Sequence, residues 1–339
     1  MIPSIDVAPL FGPASAARDA VDAAVMAAAT GSGFMTIRGL EGHVPAGRDA
    51  RGDLLRLFGL PDAAKARLLR QAFDASRPNV YRGFFPLQNG GATYKEGIDM
   101  GPDIAHADAP VGGDPLCEAT PLPDEADLPG WRAAAADYYR GMERLGRVLM
   151  ASIARGLGLP DTFFDAAFTG GISTLRLIHY PVRPDASFAG ADPDRVFVMH
   201  QGERRAVAGG VHVDSGFVTL LAQDGVEGLQ ALAHDGTWVD VPPVDGTLAV
   251  NFGKLLDRWT GGRIKATEHR VLGPGRTRHS IPFFYEPRVD AVIAPLPLAG
   301  AEAFAPFTYG DHLWAAMTRF VEFRGMEGLR APRGVSHAA

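Results

Sequence analysis

The stretch GGVHVDSGFVTLLAQDGVEGLQAL, residues 209–232, decides which fold we expect for this chain. A histidine and an aspartate, His212 and Asp214, stand two positions apart directly before the apolar run FVTLLAQ. Side chains at positions i and i+2 of a β-strand point to the same face of the sheet. The spacing therefore predicts that both side chains enter one cavity at the entrance to a buried strand.

Short β-rich runs continue on both sides of this stretch, from Ile172 onward. They include STLRLIHY, RVFVMH, TLAVNFG, TEHRVL and HSIPFFY, and turn signals such as DGVEG, HDG and LGPGR separate them. Many short strands at this spacing are typical of a β-sandwich or a closed jelly roll. The predicted fold class is therefore mostly β.

Helices are expected mainly outside this region. Spacing of apolar residues predicts helices over residues 15–30 and 131–157, the second with the stronger apolar stripe, and a closing amphipathic helix over 311–323. FMTIRG, after the first helix, is typical of a strand. The stretch 81–115 is rich in Gly, Pro, Asp and Asn, and we expect long irregular loops there.

A third metal-binding side chain would make the pair His212 and Asp214 informative. Two histidines and one carboxylate form the facial triad that holds non-haem Fe(II) with coordination positions left open. His269 lies on a β-like run of its own and is the candidate. Beyond it, Arg278 and Ser280 share one strand face, where a planar guanidinium and a hydroxyl can bind the carboxylate of an acidic co-substrate.

These motifs together resemble the isopenicillin N synthase-like family of Fe(II)/2-oxoglutarate-dependent oxygenases. The resemblance rests on HVD, EHRV, RHSIPFFYEP and LRLIHYP, and it extends to IPSIDVAPL, GSGFMTIRGL, YRGFFPL and KEGIDMGPD nearer the start of the chain. The family's fold is a double-stranded β-helix, or jelly roll, with flanking helices. The resemblance implies Fe(II), 2-oxoglutarate as co-substrate and O₂.

The resemblance also implies roles for individual residues. His212, Asp214 and His269 would bind the iron, and Arg278 and Ser280 would hold the distal carboxylate of 2-oxoglutarate. Tyr180 matches a family tyrosine that often contacts the co-substrate. One departure is Ile178, where plant-type members commonly carry Asn.

Substrate contacts are expected from Tyr81 and Arg82, because this segment folds toward the cavity mouth in the resembling family, and from Arg176, which shares a strand face with Tyr180. The segment 182–211 is either a surface hairpin or a wall of the substrate cavity. In the second case His200, Arg204 or Arg205 would reach the site.

The implied reaction is oxidation of a small organic molecule by hydroxylation, desaturation or cyclisation, with release of succinate and CO₂. Three alternatives stay open: a 2-oxoglutarate-independent iron oxidase of the isopenicillin N synthase type, a non-catalytic small-molecule-binding jelly roll, and a zinc hydrolase. The zinc hydrolase would not need Arg278 and Ser280.

Composition limits the other function classes. The formal charge is −6 and no Lys/Arg block occurs, so a nucleic-acid partner is not expected. No segment is long and apolar enough to predict a membrane span, and the start of the chain does not resemble a secretory signal. The single cysteine, Cys117, fits a reducing compartment, and we expect a cytoplasmic protein. The oligomeric state and the substrate's identity stay open.

The expected organisation has three parts. Residues 1–120 form an N-terminal helical and loop region, residues 121–330 form the jelly-roll core with its closing helix, and residues 331–339 form a disordered tail.

Overall fold

The computed structural model describes residues 2–300, 303–320, 323 and 325–335. The strands, in chain order, are β1 (Ser4–Asp6), β2 (Phe34–Arg38), β3 (Gly83–Gly90), β4 (Thr93–Met100), β5 (Thr174–Tyr180), β6 (Phe197–His200), β7 (Glu203–His212), β8 (Val218–Gln223), β9 (Leu229–Leu232), β10 (Trp238–Asp240), β11 (Leu248–Phe252), β12 (His269–Leu272), β13 (Arg278–Tyr285), β14 (Val292–Ile293) and β15 (Phe307–Thr308). The helices are α1 (Ala16–Thr30), α2 (Arg48–Leu55), α3 (Asp62–Ala66), α4 (Trp131–Gly156), α5 (Asp165–Phe168), α6 (Pro193–Val196), α7 (Lys254–Trp259) and α8 (Tyr309–Met317).

The larger sheet has the strand order β1-β2-β11-β8-β13-β5-β4-β3. Only β1 and β2 pair in parallel within it, and the other neighbours are antiparallel. The strands β1 and β2 extend one edge and the hairpin β3–β4 extends the other. Segments from the first hundred residues therefore complete both edges of the sheet that carries β13.

The smaller sheet has the order β10-β9-β12-β7-β6 and is antiparallel throughout. Its β6–β7 hairpin turns at Gln201 and Gly202, whose φ angles are 51° and 82°. Two successive residues with positive φ match the twist of a tight two-residue hairpin.

An apolar layer joins the two sheets, as expected for a jelly roll. Its buried residues from the larger sheet are Phe34, Ile178, Tyr180 and Ala249, and those from the smaller sheet are Ala208, Leu229, Ala231 and Val271. The predicted fold class, mostly β with a jelly-roll core and flanking helices, is confirmed. The interior between the sheets is the space that β7, β12 and β13 border.

Helix α4 covers the outer face of the larger sheet. The Tyr139 hydroxyl donates to the carbonyl of Ser173 at 2.8 Å, and the Trp131 indole donates to the carbonyl of Leu54 at 2.8 Å. A Cβ at Gly146 would lie 2.5 Å from the ring of Tyr285, so glycine permits the close approach of helix and sheet. The helix stabilises the sheet that positions the site.

Most predicted elements outside the core are confirmed. The helix expected over 15–30 is α1, where Ser15 accepts from the backbone N–H of Arg18 as an N-cap, and the helix expected over 131–157 is α4. The strand at FMTIRG is β2. The closing helix is shorter than expected, since α8 ends at Met317, and residues 321 and 322 lie outside the described residues.

The prediction of irregular loops over 81–115 is wrong in its first half. Strands β3 and β4 form a hairpin there, and β4 pairs with β5 in the larger sheet. The glycines and Asn89 mark the hairpin turn and close approaches within it. A Cβ at Gly97, for example, would lie 2.5 Å from the ring of Phe85. Composition suggested a loop because the pairing partner, β5, lies far along the chain.

The proposed division of the chain stays a prediction. Strands from both sides of residue 120 join one sheet. Of the expected tail, the structure describes 331–335, where the backbone N–H groups of Arg333 and Gly334 donate to Asp311. Residues 336–339 lie outside the described residues.

Candidate metal centre and active site

His212 and His269 meet across two antiparallel strands of the smaller sheet. His212 is the last residue of β7, His269 is the first of β12, and the two are register partners. Asp214 follows in the connection to β8 and does not continue β7, contrary to the expectation of a shared strand face. The donor atoms of the three side chains nevertheless all lie within 4.8 Å of one another.

The two imidazole rings are oriented by backbone carbonyls. The Nδ1 atom of His212 lies 2.8 Å from the carbonyl oxygen of Gly210, and Nδ1 of His269 lies 3.1 Å from that of Thr267. A carbonyl oxygen only accepts, so both Nδ1 atoms carry the proton. Each Nε2 atom therefore keeps its lone pair, and the Nε2 atoms lie 3.8 Å and 3.6 Å from Oδ1 of Asp214.

Asp214 is held through its other oxygen. Oδ2 accepts from the Thr219 hydroxyl at 2.5 Å and from the Asn251 amide at 2.7 Å. Thr219 and Asn251 are register partners on β8 and β11. Oδ1 is left facing the two Nε2 atoms, which is the orientation that a monodentate metal ligand needs.

Electrostatics favour the protonation states that bind a cation. Desolvation of the His212 ring, with a smaller contribution from His269, lowers the pKa of His212 to about 4. Burial raises the pKa of Asp214, but the two histidines and the hydrogen bonds from Thr219 and Asn251 outweigh it, and the net pKa is lowered. At neutral pH the cluster presents a neutral imidazole at His212 and a carboxylate.

This donor set fits Fe(II). Two imidazoles and one carboxylate on one side of a metal leave positions open for further ligands. The His212 side chain is 41% exposed toward the cavity, whereas that of His269 is 9% exposed. The open side of the cluster therefore faces the cavity.

The predicted co-substrate residues lie on the larger sheet. Arg278 is opposite Tyr180 on β5, and Ser280 is opposite Ile178. The Arg278 guanidinium is fully buried, with Nη2 donating to Gln223 at 3.1 Å and Nε donating to the carbonyl of Val226 at 3.3 Å.

Arg278 keeps hydrogen-bonding capacity. Its Nη1 has no hydrogen-bond partner among the residues that the structure describes, and its guanidinium lies 5.1 Å from the centre of the Tyr180 ring. Burial lowers its pKa. A buried guanidinium with an unsatisfied donor is a strong site for a carboxylate.

A cavity of about 290 Å³ opens beside the cluster. His212 and Asp214 belong to its wall, and the predicted substrate contacts Tyr81 and Arg176 line it too. The sequence did not single out the other polar residues of the wall, which include Lys95 and Glu286, since each stands alone in its segment. Its apolar wall is formed by Phe85, Phe284, Leu313, Met317, Phe320 and Phe323.

Arg70 and Arg176 of the cavity wall belong to a buried ion cluster around Asp99. Asp99 accepts from Nε of Arg176 at 2.5 Å and from its Nη2 at 2.8 Å, and it also pairs with Arg70. Burial raises the pKa of Asp99, but the two arginines outweigh it and set it at about 2. Arg176 is therefore fixed at the wall by Asp99.

Arg82 is placed differently from the prediction. Its guanidinium donates to the Thr174 hydroxyl at 2.7 Å and to the carbonyls of Ile172 at 2.9 Å and Met100 at 3.3 Å. It is completely buried and does not belong to the described wall of the cavity. These contacts tie strands together and give no support to a substrate role for Arg82.

The segment 182–211 is mainly a surface hairpin. His200 contacts Asp240, the guanidinium of Arg204 lies 3.8 Å from the centre of the Phe197 ring, and Arg205 donates to the carbonyl of Gly273. None of these three side chains lines the described cavity. Only the end of β7, from Gly209 to His212, contributes to the wall.

Comparisons with known proteins agree with this geometry. Residues 172–287 match the family model of the 2OG-Fe(II) oxygenase superfamily. The chain is 31% identical over 323 residues to an isopenicillin N synthase of Streptomyces clavuligerus, covering 92% of this chain and 93% of that protein. It is 33% identical over 308 residues to a 2-oxoglutarate-Fe(II) type oxidoreductase of Emericella nidulans, covering 87% and 82%.

Solved structures are similar over the same length. A full-length Neurospora crassa protein in complex with alpha-KG and 5-formyluracil has a TM-score of 0.75 at 26% identity, covering 94% of this chain and 95% of that one. The rice dioxygenase for auxin oxidation has a TM-score of 0.69 at 25% identity, covering 94% and 96%.

A two-histidine, one-carboxylate cluster at the smaller sheet of a jelly roll, with a buried arginine on the larger sheet, is typical of the class of non-haem iron oxygenases. The chain belongs to the 2OG-Fe(II) oxygenase superfamily. It is an Fe(II)- and 2-oxoglutarate-dependent dioxygenase, as the sequence predicts. Among the described residues, no helix has the length and apolarity to cross a membrane.

Proposed function

We propose that His212, Asp214 and His269 bind the Fe(II) of this dioxygenase, and that Arg278, Ser280 and Tyr180 hold 2-oxoglutarate. The observation that carries the proposal is the convergence of one donor atom from each of the three side chains within 4.8 Å. Bound Fe(II), with 2-oxoglutarate and O₂, supplies the oxidising power and couples substrate oxidation to release of succinate and CO₂.

The protein's own residues contribute orientation. The carbonyls of Gly210 and Thr267 fix the tautomer of both histidines. Thr219 and Asn251 donate to Oδ2 of Asp214, so that Oδ1 would be the oxygen offered to the metal. Second contacts of this kind hold ligands in one geometry before the metal arrives.

Arg278 supplies the charge for the co-substrate. Its unsatisfied Nη1 lies in a buried, weakly screened environment, where a hydrogen bond to a carboxylate is strong. Ser280 lies two residues further along β13 on the same face, so its hydroxyl can add a second donor. Tyr180 packs beside the guanidinium and limits where the carboxylate can sit.

The substrate is then a small organic molecule that enters the 290 Å³ cavity next to His212. A volume of this size suits a ligand of about ten to twenty heavy atoms. Tyr81 and Arg176 line the cavity and stay candidate contacts. Whether the reaction is hydroxylation, desaturation or cyclisation depends on which C–H bond this wall presents to the metal.

Turnover of 2-oxoglutarate tests the proposal. Iron-loaded wild-type protein should convert 2-oxoglutarate to succinate in air, and His269→Ala and Arg278→Gln should each abolish the conversion. Arg276→Gln, which alters an exposed arginine two residues before Arg278, is the matched control and should keep it.

The similarity to isopenicillin N synthase defines the contrary outcome. O₂ consumption that depends on an added substrate and not on 2-oxoglutarate would assign Arg278 and Ser280 to the substrate's own carboxylate. Such a result would retain the iron site and contradict the co-substrate site.

A cytoplasmic location and the absence of a nucleic-acid partner belong to the same proposal. The single cysteine, Cys117, is buried and unpaired, which fits a reducing compartment, and the formal charge of −6 disfavours a polyanion. Cell fractionation with an antibody tests the location.

A further inference from the structure

Lys95 lies inside the cavity beside the metal cluster. It occupies β4, where Thr93 and Lys95 alternate with Tyr94 and Glu96. Thr93 and Lys95 line the cavity, together with Gly210 and His212 of β7. Strand alternation therefore places this ammonium group and the open side of the candidate iron site in one space.

The neighbouring carboxylate of Glu96 is not available to Lys95. Glu96 lies on the other face of β4 and pairs with His179, whose Nδ1 is 2.7 Å from the carboxylate. Tyr94, on the same outer face, lies under the guanidinium of Arg183 at 5.2 Å from its ring centre. Both residues that flank Lys95 in β4 therefore have interaction partners other than Lys95.

The carboxylates around the cavity also have other partners. Asp99 pairs with Arg176 and Arg70, and one oxygen of Asp214 accepts from Thr219 and Asn251. Glu286 accepts from the Thr174 hydroxyl at 3.3 Å. Among the described residues, Lys95 forms no ion pair and no side-chain hydrogen bond. Lys95 is therefore a cation in the cavity wall that is available to bind a ligand.

The charges of the proposed active complex make this cation significant. The two positive charges of Fe(II) and that of Arg278 balance Asp214 and the two carboxylates of 2-oxoglutarate. Lys95, which pairs with no carboxylate among the described residues, then adds a positive charge next to a neutral centre. A cation in a partly enclosed, low-dielectric cavity strongly favours an anionic ligand group.

Neighbouring strands of the same sheet, β3, β5 and β13, define the rest of the ligand. Phe85 and Phe284 flank the guanidinium of Arg176 at 5.6 Å and 5.4 Å from their ring centres, and Phe323 completes an aromatic surface. Helix α8 adds Leu313 and Met317. An apolar or aromatic body fits this surface, since flat rings pack well against aromatic side chains.

We propose that Lys95 anchors an anionic group of the substrate, so that the enzyme acts on a small organic acid whose apolar body packs against Phe85, Phe284 and Phe323. The inference rests on the proposed function, because it takes the reacting C–H to lie at the metal side of the cavity. In this proposal Asp99 holds Arg176 in place as part of the cavity wall. Lys95 determines that the charged group of the substrate is an anion.

The experiment compares acids with their neutral amides as probes. Anaerobic Fe(II)–2-oxoglutarate protein is titrated with benzoate, phenylacetate and 3-phenylpropionate, and with the three matching primary amides. Binding is followed by calorimetry, and the visible absorbance of the iron–2-oxoglutarate complex is recorded in the same samples. At least one acid should bind about 10- to 100-fold more tightly than its amide, as expected for a hydrogen bond between two charged groups.

Variants locate the effect. Lys95→Gln should reduce acid binding to the level of the amide, Lys95→Arg should retain a preference for the acid, and Lys265→Gln, at an exposed lysine far along the chain, should change nothing. The affinity for 2-oxoglutarate should be the same in all four proteins. A weaker affinity for 2-oxoglutarate in Lys95→Gln would assign Lys95 to the co-substrate and overturn the proposal.

The experiment can contradict the role of Lys95 separately from the proposed function. A normal iron–2-oxoglutarate absorbance with no preference for acids, whether all the probes bind or none does, overturns the role of Lys95 alone. Absence of that absorbance overturns the proposed function and this inference with it.

Discussion

His212 and His269 face each other as register partners on β7 and β12, and each ring is oriented by the carbonyl two residues before it, of Gly210 and Thr267 respectively. The same backbone hydrogen bond thus sets the same tautomer in both rings. Asp214 completes the cluster from the connection between β7 and β8, where Thr219 and Asn251 hold its Oδ2 atom.

The hydrogen bonds to Asp214 predict how much its neighbours contribute to metal affinity. Asn251→Ala removes a 2.7 Å hydrogen bond to Oδ2 and frees the carboxylate to rotate. We expect metal affinity to fall about 10- to 100-fold, as is typical when such a supporting contact is lost. Calorimetric titration with Mn(II), a redox-stable substitute, measures it. Asn79→Ala, which removes an amide donor to the carbonyl of Ala119 outside the cavity wall, is the control, and equal affinities in the two variants would contradict the supporting role of Asn251.

The burial of Arg278 predicts a selective loss of co-substrate binding. Arg278→Gln should weaken 2-oxoglutarate binding about 100-fold and leave Mn(II) affinity unchanged, because the guanidinium lies on the larger sheet and the two histidines proposed to bind the metal lie on the smaller one. Arg278→Lys should recover little of the affinity, since an ammonium cannot reproduce the planar fork. Full recovery of the affinity by lysine would show that 2-oxoglutarate binding depends only on the positive charge at this position.

Glu286 predicts a pH dependence of stability. Burial, partly offset by Arg82, raises the pKa of this carboxyl from 4.5 to about 7. Below about pH 4.5 it is protonated in both the folded and the unfolded protein. Above that pH the unfolded chain releases the proton first, so the free energy of unfolding falls as pH rises to about 7 and then levels off.

The neutral isostere Glu286→Gln isolates this contribution. As pH rises from about 4.5 to 7, the wild type should lose on the order of 3 kcal/mol of unfolding free energy relative to the variant. Urea denaturation at several pH values measures it. A difference that does not change with pH would show that Glu286 titrates as an exposed carboxyl does.

The ion pair between Arg330 and Asp311 links the C-terminal segment to helix α8, which lines the cavity. It donates to both oxygens of Asp114 at 2.9 Å and 3.0 Å and to Asp311 of α8 at 2.7 Å, and its side chain is 3% exposed. Helix α8 carries Leu313 and Met317 of the cavity wall. Arg330→Met leaves the buried Asp114 paired with the half-exposed Arg333 alone among the described residues, and should cost about 3 kcal/mol of stability.

The control for this change is Arg319→Met, at an exposed arginine after the same helix. Thermal unfolding compares the two variants. Similar melting temperatures would indicate that the Arg330 pair contributes no more than a surface contact. Mn(II) affinity should be unchanged in both, because neither residue touches the metal cluster.

The sequence predicted which side chains meet better than it predicted their surroundings. His212, Asp214 and His269 were singled out because strand spacing and ligand chemistry leave a pattern in the chain, and the structure brings their donor atoms together. Their role as iron ligands stays a proposal. The fold class followed from short runs with turns between them. Thr219 and Asn251 were missed, although each is a polar residue in an apolar strand. What decides their role is the register between β8 and β11, which single-strand patterns do not contain.

The error over the hairpin has a similar physical origin. The hairpin β3–β4 was missed because its glycines and Asn89 favour loops, and pairing with the distant β5 overrides that preference. The substrate contact expected of Arg82 stays a prediction, and its partners in the structure are the Thr174 hydroxyl and carbonyls of segments that are remote in sequence. Local pattern identifies which residues are polar, and only tertiary pairing determines which of them meet a ligand.

The most direct measurement is an anaerobic titration of the metal-free protein with Fe(II) and then with 2-oxoglutarate, followed by visible absorbance. The account predicts a weak metal-to-ligand charge-transfer band that needs both components, that is absent in His269→Ala, and that requires far more 2-oxoglutarate in Arg278→Gln. Iron binding without a band at any 2-oxoglutarate concentration would contradict the assignment of these residues.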